Sequence, residues 1–235
     1  LPGQGPTPTP VAEAPARAAD ARPALPAVDN YKQTQHTGKF SGQTLAYTAT
    51  AGTLVLKSAT GKPRANVFFV AYTKDGVPAG SRPLAFAYNG GPGSASVFVH
   101  MGLFGPKRVQ MGEDGFQPAP PYELVDNEDA ILDVADVVVI DAVTTGWSRM
   151  VEGEDGKNFH GVRQDIEAFS DFIRLYLGRF NRWASPKYLM GESYGTVRHL
   201  RASGSQREIG RSLAAAAEQA HGAAGRTEQQ GFAHE

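Results

Sequence analysis

No cysteine occurs in the chain, which removes disulfides, thiolate metal ligands and a cysteine nucleophile, and leaves the redox compartment open. An excess of either charge is also missing. Lys and Arg number 23 against 24 Asp and Glu, so no surface field of one sign points to nucleic acid or an anionic membrane. Long apolar runs are absent too, and no segment approaches the length of a membrane span. The first residue is Leu1, with no basic-then-apolar leader after it, so the chain is expected to be either processed or a fragment. No internal repeat is visible, and no spacing of ligand residues implies a metal or an organic cofactor.

What is present is unevenly spread. Residues 1–28 are rich in Pro and Ala and carry no aromatic side chain, so they cannot bury enough apolar surface to offset their ordering entropy. This stretch reads as a disordered linker, and as a spacer behind a removed export signal it makes a periplasmic or secreted location the expectation. Leu45 to Gly76 alternates β-branched and aromatic runs around Ala59-Thr60-Gly61-Lys62-Pro63, which predicts two antiparallel strands and a turn. Two short apolar runs follow, "LAFAY" and "ADVVVID", the second typical of a strand covered on both faces. Between Arg163 and Phe180 the apolar residues Ile166, Phe169, Phe172, Ile173, Tyr176 and Leu177 recur at helical spacing, with Asp165, Glu167, Asp171 and Arg174 on the other side. A strand at "SPKYLM" completes a strand, helix, strand order, so the predicted class is α/β with parallel-sheet character.

Two motifs carry chemistry. Gly191-Glu192-Ser193-Tyr194-Gly195 fits G-x-S-x-G, in which a serine sits on a strained strand-to-helix turn and both glycines let the backbone bend that tightly. Its position directly after a predicted buried strand meets the condition its mechanics require. Asn89-Gly90-Gly91-Pro92-Gly93-Ser94-Ala95-Ser96, also at a strand end, can offer unobstructed backbone N–H groups to a developing oxyanion. It lacks the Lys-Ser/Thr pair and the spacing of a phosphate loop.

With both motifs in this order, the sequence resembles the serine carboxypeptidase family of α/β-hydrolases, in particular its bacterial branch. "FAYNGGPGSAS", "HMGLFGP", "LDVADVVVID", "TGWSR" and "SPKYLMGESYGT" carry the resemblance, which runs from about Gly38 to Thr196. It implies an α/β-hydrolase fold, of which residues 29–196 would be the N-terminal portion, the sheet ending at the nucleophile elbow. It implies a peptide C-terminus as substrate and the hydrolysis of the last peptide bond. Ser193 would be the nucleophile, and the N–H groups of Gly91 and Tyr194 the oxyanion hole. Asn89, the Gly90 N–H and Glu192 would hold the substrate's terminal carboxylate. For Glu192 this requires a proton, because two carboxylates in close contact cannot both stay ionised, so activity in acid is expected.

Several positions depart from the family pattern. Ala87 stands where a tryptophan is frequent, Leu103 where a second carboxylate-binding glutamate falls, and Ser94 where relatives of eukaryotic type have cysteine. Ala142 and Thr144 replace a proline and a glycine, and Trp147 is expected either at the cleft or in the core. A triad further needs an acid and a histidine after the serine. Residues Val197 to Glu235 hold no aspartate; His199 lies too close to Ser193 on the same helical start to swing back onto it, and His221 and His234 lie in an Ala/Gly/Gln-rich tail with no strand to position them. That segment resembles nothing upstream, and its large apolar residues are sparse. A reading-frame shift near codon 197, or a decayed gene copy, is the expectation for 197–235, together with an inactive chain. The alternatives are a peptide-binding remnant without catalysis and an acyltransferase of the same chemistry; retained Asn89 and Glu192 favour the peptidase over the acyltransferase.

Overall fold

The structure, a computed structural model, describes residues 27–198. The expectations for most of the 1–28 linker and for the tail beyond Arg198, His199, His221 and His234 included, fall outside these residues. The chain enters through a long hairpin. Strands β1 (Asn30–Phe40) and β2 (Gln43–Lys57) pair antiparallel through Ser41 and Gly42, whose φ values of 47° and 79° give the doubly left-handed turn that matches strand twist. β3 (Pro63–Lys74) continues the antiparallel order against β2, as the sequence predicts.

Parallel structure starts at β4 (Leu84–Tyr88), all of whose residues are buried. A connection on one face includes α1 (Val97–Val99), a π-helical turn at His100–Phe104, the ribbon of β5 (Lys107–Val109) with β6 (Leu124–Asp126), and a 3₁₀ turn at Ile131–Asp133. It leads to β7 (Asp136–Ile140), buried along its length, as a continuous apolar run requires when both faces are covered. β8 (Arg149–Met150) pairs with β3 near Ala65, and α2 (Lys157–His160) precedes the crossover helix α3 (Val162–Arg179). The last described strand is β9 (Lys187–Gly191).

Sheet order is β1-β2-β3-β7-β4-β9, with β4 parallel to both β7 and β9. One face is covered by α3, whose Phe169, Phe172, Ile173, Tyr176 and Leu177 pack on Val67, Phe69, Phe86, Tyr88, Val138 and Ile140. Aromatic rings dominate this layer: Phe69 meets Phe172, Tyr176 and Phe180 with centroids 5.6 to 5.9 Å apart. Each such side chain contributes about 1.5 to 3 kcal/mol by leaving water. The opposite face is closed by Val99, Phe104 and Ile131 against Ala87, Val137 and Val139.

The entry edge of the parallel strands is held by charge. Asp136, 3% exposed, accepts Arg182 Nη1 at 2.7 Å, Arg82 Nε at 3.0 Å and the Lys74 N–H at 3.0 Å. Arg82 also caps the carbonyls of Leu132 and Asp133. These bonds fix where β4, β7 and β9 begin. Because Leu84 is level with Asp136 and Lys187, the strands also end together, and Asn89, Asp141 and Glu192 leave the sheet at its other edge. In an open parallel sheet this edge is where ligands bind.

Candidate active site

β9 turns into helix over very few residues. The N–H of Glu192 is still bonded to the Tyr88 carbonyl at 3.2 Å, and the N–H groups of Gly195 and Thr196 already bond to the carbonyls of Glu192 and Ser193 at 2.8 and 3.0 Å. Ser193 between them takes φ = 54°, the left-handed region that a residue with a Cβ rarely enters, and its side chain is exposed. The glycines on either side are needed because the backbone folds onto itself. A Cβ on Gly191 would lie 2.5 Å from the carbonyl carbon and oxygen of Gly195, and one on Gly195 would lie 3.2 Å from the Tyr88 ring and carbonyl.

The loop after β4 lies against this turn. A Cβ on Gly90 would be 2.4 Å from the Tyr194 nitrogen and 2.6 Å from the Glu192 carbonyl oxygen, so the two segments touch backbone to backbone. Gly91 has φ = 106° and Gly93 φ = 100°, and the Gly91–Pro92 peptide is cis. Among the described residues, no protein acceptor takes the N–H of Gly90, Gly91 or Tyr194. These are three free backbone donors at one edge of the sheet.

Asn89 joins the two segments, and each of its polar groups has a partner. Its N–H donates to Ser96 Oγ at 3.1 Å, its Oδ1 accepts the Val99 N–H at 3.0 Å, and its Nδ2 donates to Glu192 Oε2 at 2.9 Å. The bond from Val99 fixes which way the amide faces, which leaves the Nδ2 group to donate to Glu192. Asn89 is buried while Glu192 is exposed, so the carboxylate is anchored from below and open to solvent above.

Behind the loop, Ser96 donates through Oγ to the Ile140 carbonyl and through its N–H to Asp141 Oδ1 at 2.8 Å. The other oxygen of Asp141 accepts the Trp147 N–H at 3.1 Å. The segment after β7 therefore wraps around a buried carboxylate, and a Cβ on Gly146 would overlap Asp141 Oδ2 at 1.8 Å. Thr144, in place of the family glycine, takes φ = 71°. Trp147 is 63% exposed, so of the two expectations for it the core is the wrong one. Leu103 is also exposed and Ala87 is buried, each without a polar group to offer at its position.

Packing continues past Thr196. Arg198 is 2% exposed, with Nε 2.7 Å from Asp165 Oδ2 and Nη1 2.6 Å from the Asn89 carbonyl oxygen. Its guanidinium lies over the rings of Phe169 and Tyr194 at 4.5 and 5.2 Å. By sequence Arg198 falls in the dissimilar tail and Asp165 on the polar side of α3. The signal available was a charged pair, Asp165 and Arg198, lying beside the aromatic Phe169 and Tyr194. Ser96 and Asp141 were likewise not singled out, although an acid closing an apolar strand run marks a buried carboxylate that needs donors.

Each described histidine is bound away from Ser193. His36 meets Thr34 Oγ1 at 2.7 Å, His160 meets Thr144 Oγ1 at 3.1 Å, and His100 meets the Tyr72 hydroxyl at 2.6 Å. Burial holds the His100 imidazole below its usual range, with Asp141 opposing the effect, and burial raises the Tyr72 phenol. The Tyr88 phenol is pushed up to about 12 by burial, with Arg198 acting against the rise. Among the described residues there is no group of three or more His, Asp or Glu side chains that could hold a metal ion. No helix among them is long and apolar enough to cross a membrane.

A mixed sheet with helices on both faces, and a glycine-flanked serine turn at the ends of its parallel strands, is an α/β arrangement. A family model described as serine carboxypeptidase matches residues 42–197. The chain belongs to the serine carboxypeptidase family, whose activity is serine-type proteolysis on peptide substrates and whose fold is that of the α/β-hydrolases. A search among curated proteins finds no match.

Proposed function

We propose that residues 29–196 form the N-terminal portion of an α/β-hydrolase sheet, ending at a nucleophile elbow, and that Ser193 is the nucleophile of a serine-type carboxypeptidase. Ser193 Oγ attacks the carbonyl carbon of the last peptide bond. The C–N bond then breaks, the departing amino acid takes the proton, and water releases the acyl group from Ser193. Negative charge that develops on the carbonyl oxygen is received by the N–H groups of Gly91 and Tyr194, which have no acceptor of their own among the described residues. The base that takes the Ser193 proton and the acid that orients it are not among the described histidines, all of which are engaged elsewhere.

Chain-end specificity comes from Asn89, Gly90 and Glu192. The observation that carries this reading is the Asn89 Nδ2 bond to Glu192 Oε2 at 2.9 Å, which joins the loop to the residue before the serine. A fixed amide donor and a free Gly90 N–H, beside the Glu192 carboxyl group, match the acceptor oxygens of a terminal carboxylate. An internal peptide bond offers no such group. The test compares N-blocked dipeptides that have a free C-terminus with the same dipeptides as C-terminal amides. Only slow residual hydrolysis of the free acid is expected while no base among the described residues is positioned at Ser193, lost in Ser193→Ala and with its preference over the amide lost in Glu192→Gln. Equal rates on acid and amide in the unaltered chain would overturn the assignment of specificity.

A further inference from the structure

Arg198 holds the carbonyl side of the peptide unit whose other side is the Gly90 N–H. Its Nη1 lies 2.6 Å from the Asn89 oxygen, and the Asn89–Gly90 peptide is not among the cis bonds of the chain. In a trans peptide the C=O and N–H point in opposite directions. A donor on the carbonyl therefore aims the N–H away from Arg198, and a charged donor also polarises the peptide and strengthens that N–H. Asp165 anchors the guanidinium with Oδ2 at 2.7 Å from Nε and Oδ1 at 3.3 Å from Nη2, and Phe169 supports it from the helix side. The Tyr194 ring lies against the same guanidinium, so one buried cation touches both the loop and the serine turn.

We propose that Arg198 and Asp165 act together as positioning residues for recognition of the substrate's terminal carboxylate. They fix the Asn89–Gly90 peptide plane and, through it, the Gly90 N–H. This rests on the carboxylate site proposed above. Neither residue touches substrate. Lysine cannot replace Arg198, because a point ammonium cannot make the forked contact with Asp165 and reach the Asn89 carbonyl as well.

The experiment is calorimetric titration of the full chain with an N-acetylated tripeptide ending in a free carboxylate and with its C-terminal amide. All titrations are made in the Ser193→Ala background, so that binding is read without turnover. The background chain is expected to prefer the acid, and Glu192→Gln to reduce that preference. Arg198→Lys is expected to cut the acid-over-amide preference about tenfold, the worth of one charge-assisted hydrogen bond, while amide binding stays within about twofold. Should Arg198→Lys not fold, the double variant Asp165→Asn/Arg198→Met removes both charges of the pair together and is expected to show the same loss. An undiminished preference in whichever variant folds overturns the positioning role and leaves the carboxylate site intact. Equal loss of acid and amide binding overturns it as well, since that is what general loosening produces. No acid preference in the background chain removes the carboxylate site, and the positioning role with it.

Discussion

Replacing Ser193 with glycine should make the chain more stable than replacing it with alanine, the reverse of the usual order. At φ = 54° a Cβ crowds its own carbonyl, which costs about 1 to 2 kcal/mol relative to the right-handed region. Alanine keeps that cost and glycine removes it. Glycine in turn frees the unfolded chain by about 0.4 to 1 kcal/mol, which favours unfolding. The difference leaves Ser193→Gly between about 0 and 1.6 kcal/mol more stable than Ser193→Ala by these figures. At a right-handed position the same pair would differ by about 0.5 to 1 kcal/mol in the opposite sense. Urea unfolding of the two variants, followed by tryptophan fluorescence, measures the difference directly, and neither variant retains the hydroxyl. A glycine variant less stable than the alanine variant by 0.5 kcal/mol or more, on the order of the ordinary glycine cost, would refute the strained turn.

Other consequences follow from the same physics. Thr144 adopts φ = 71° as a β-branched residue, so Thr144→Gly should raise the unfolding midpoint, and a lower midpoint would contradict the strain assigned there. Asp136→Asn leaves the buried Arg182 and the half-buried Arg82 without their shared counter-charge and should destabilise the chain by about 3 to 5 kcal/mol; a loss under about 1 kcal/mol in urea unfolding would contradict it. His100 is held below its usual range by burial against the Tyr72 hydroxyl, with Asp141 the charged group opposing the shift. Its unfolded form therefore binds the proton first, so its contribution to stability is complete above about pH 6.5 and is lost as pH falls from there towards the lowered folded value. Unfolding free energies between about pH 7 and 5 should decline less steeply in His100→Gln than in the unaltered chain, and parallel curves would exclude His100 as the cause.

Much of the sheet was legible because its signals are local. An apolar run at Asp136–Ile140, a helical stripe from Ile166 to Leu177 and alternating strands on both sides of Gly61 are each set by burial of neighbouring residues. β1 was missed because its exposed face is polar over nearly all its length, although Ser41-Gly42 is a two-residue hairpin signal. The Lys107–Val109 and Leu124–Asp126 ribbon was missed because three-residue strands carry no periodicity. At the site, the glycine and serine positions could be read from their motifs. Their supports could not, because Asn89 to Val99, Ser96 to Asp141 and Arg198 to Asp165 are pairings across 10, 45 and 33 residues that only the folded sheet creates.

The central claim is that Ser193 is a nucleophile, and its direct test is acylation. Prolonged incubation of the chain with a saturating nitrophenyl ester of an N-blocked amino acid, followed by intact mass and peptide mapping, reads the covalent product itself. One added acyl group is expected, carried on Ser193 and absent from Ser193→Ala. No adduct, or an adduct that survives in Ser193→Ala, would contradict it.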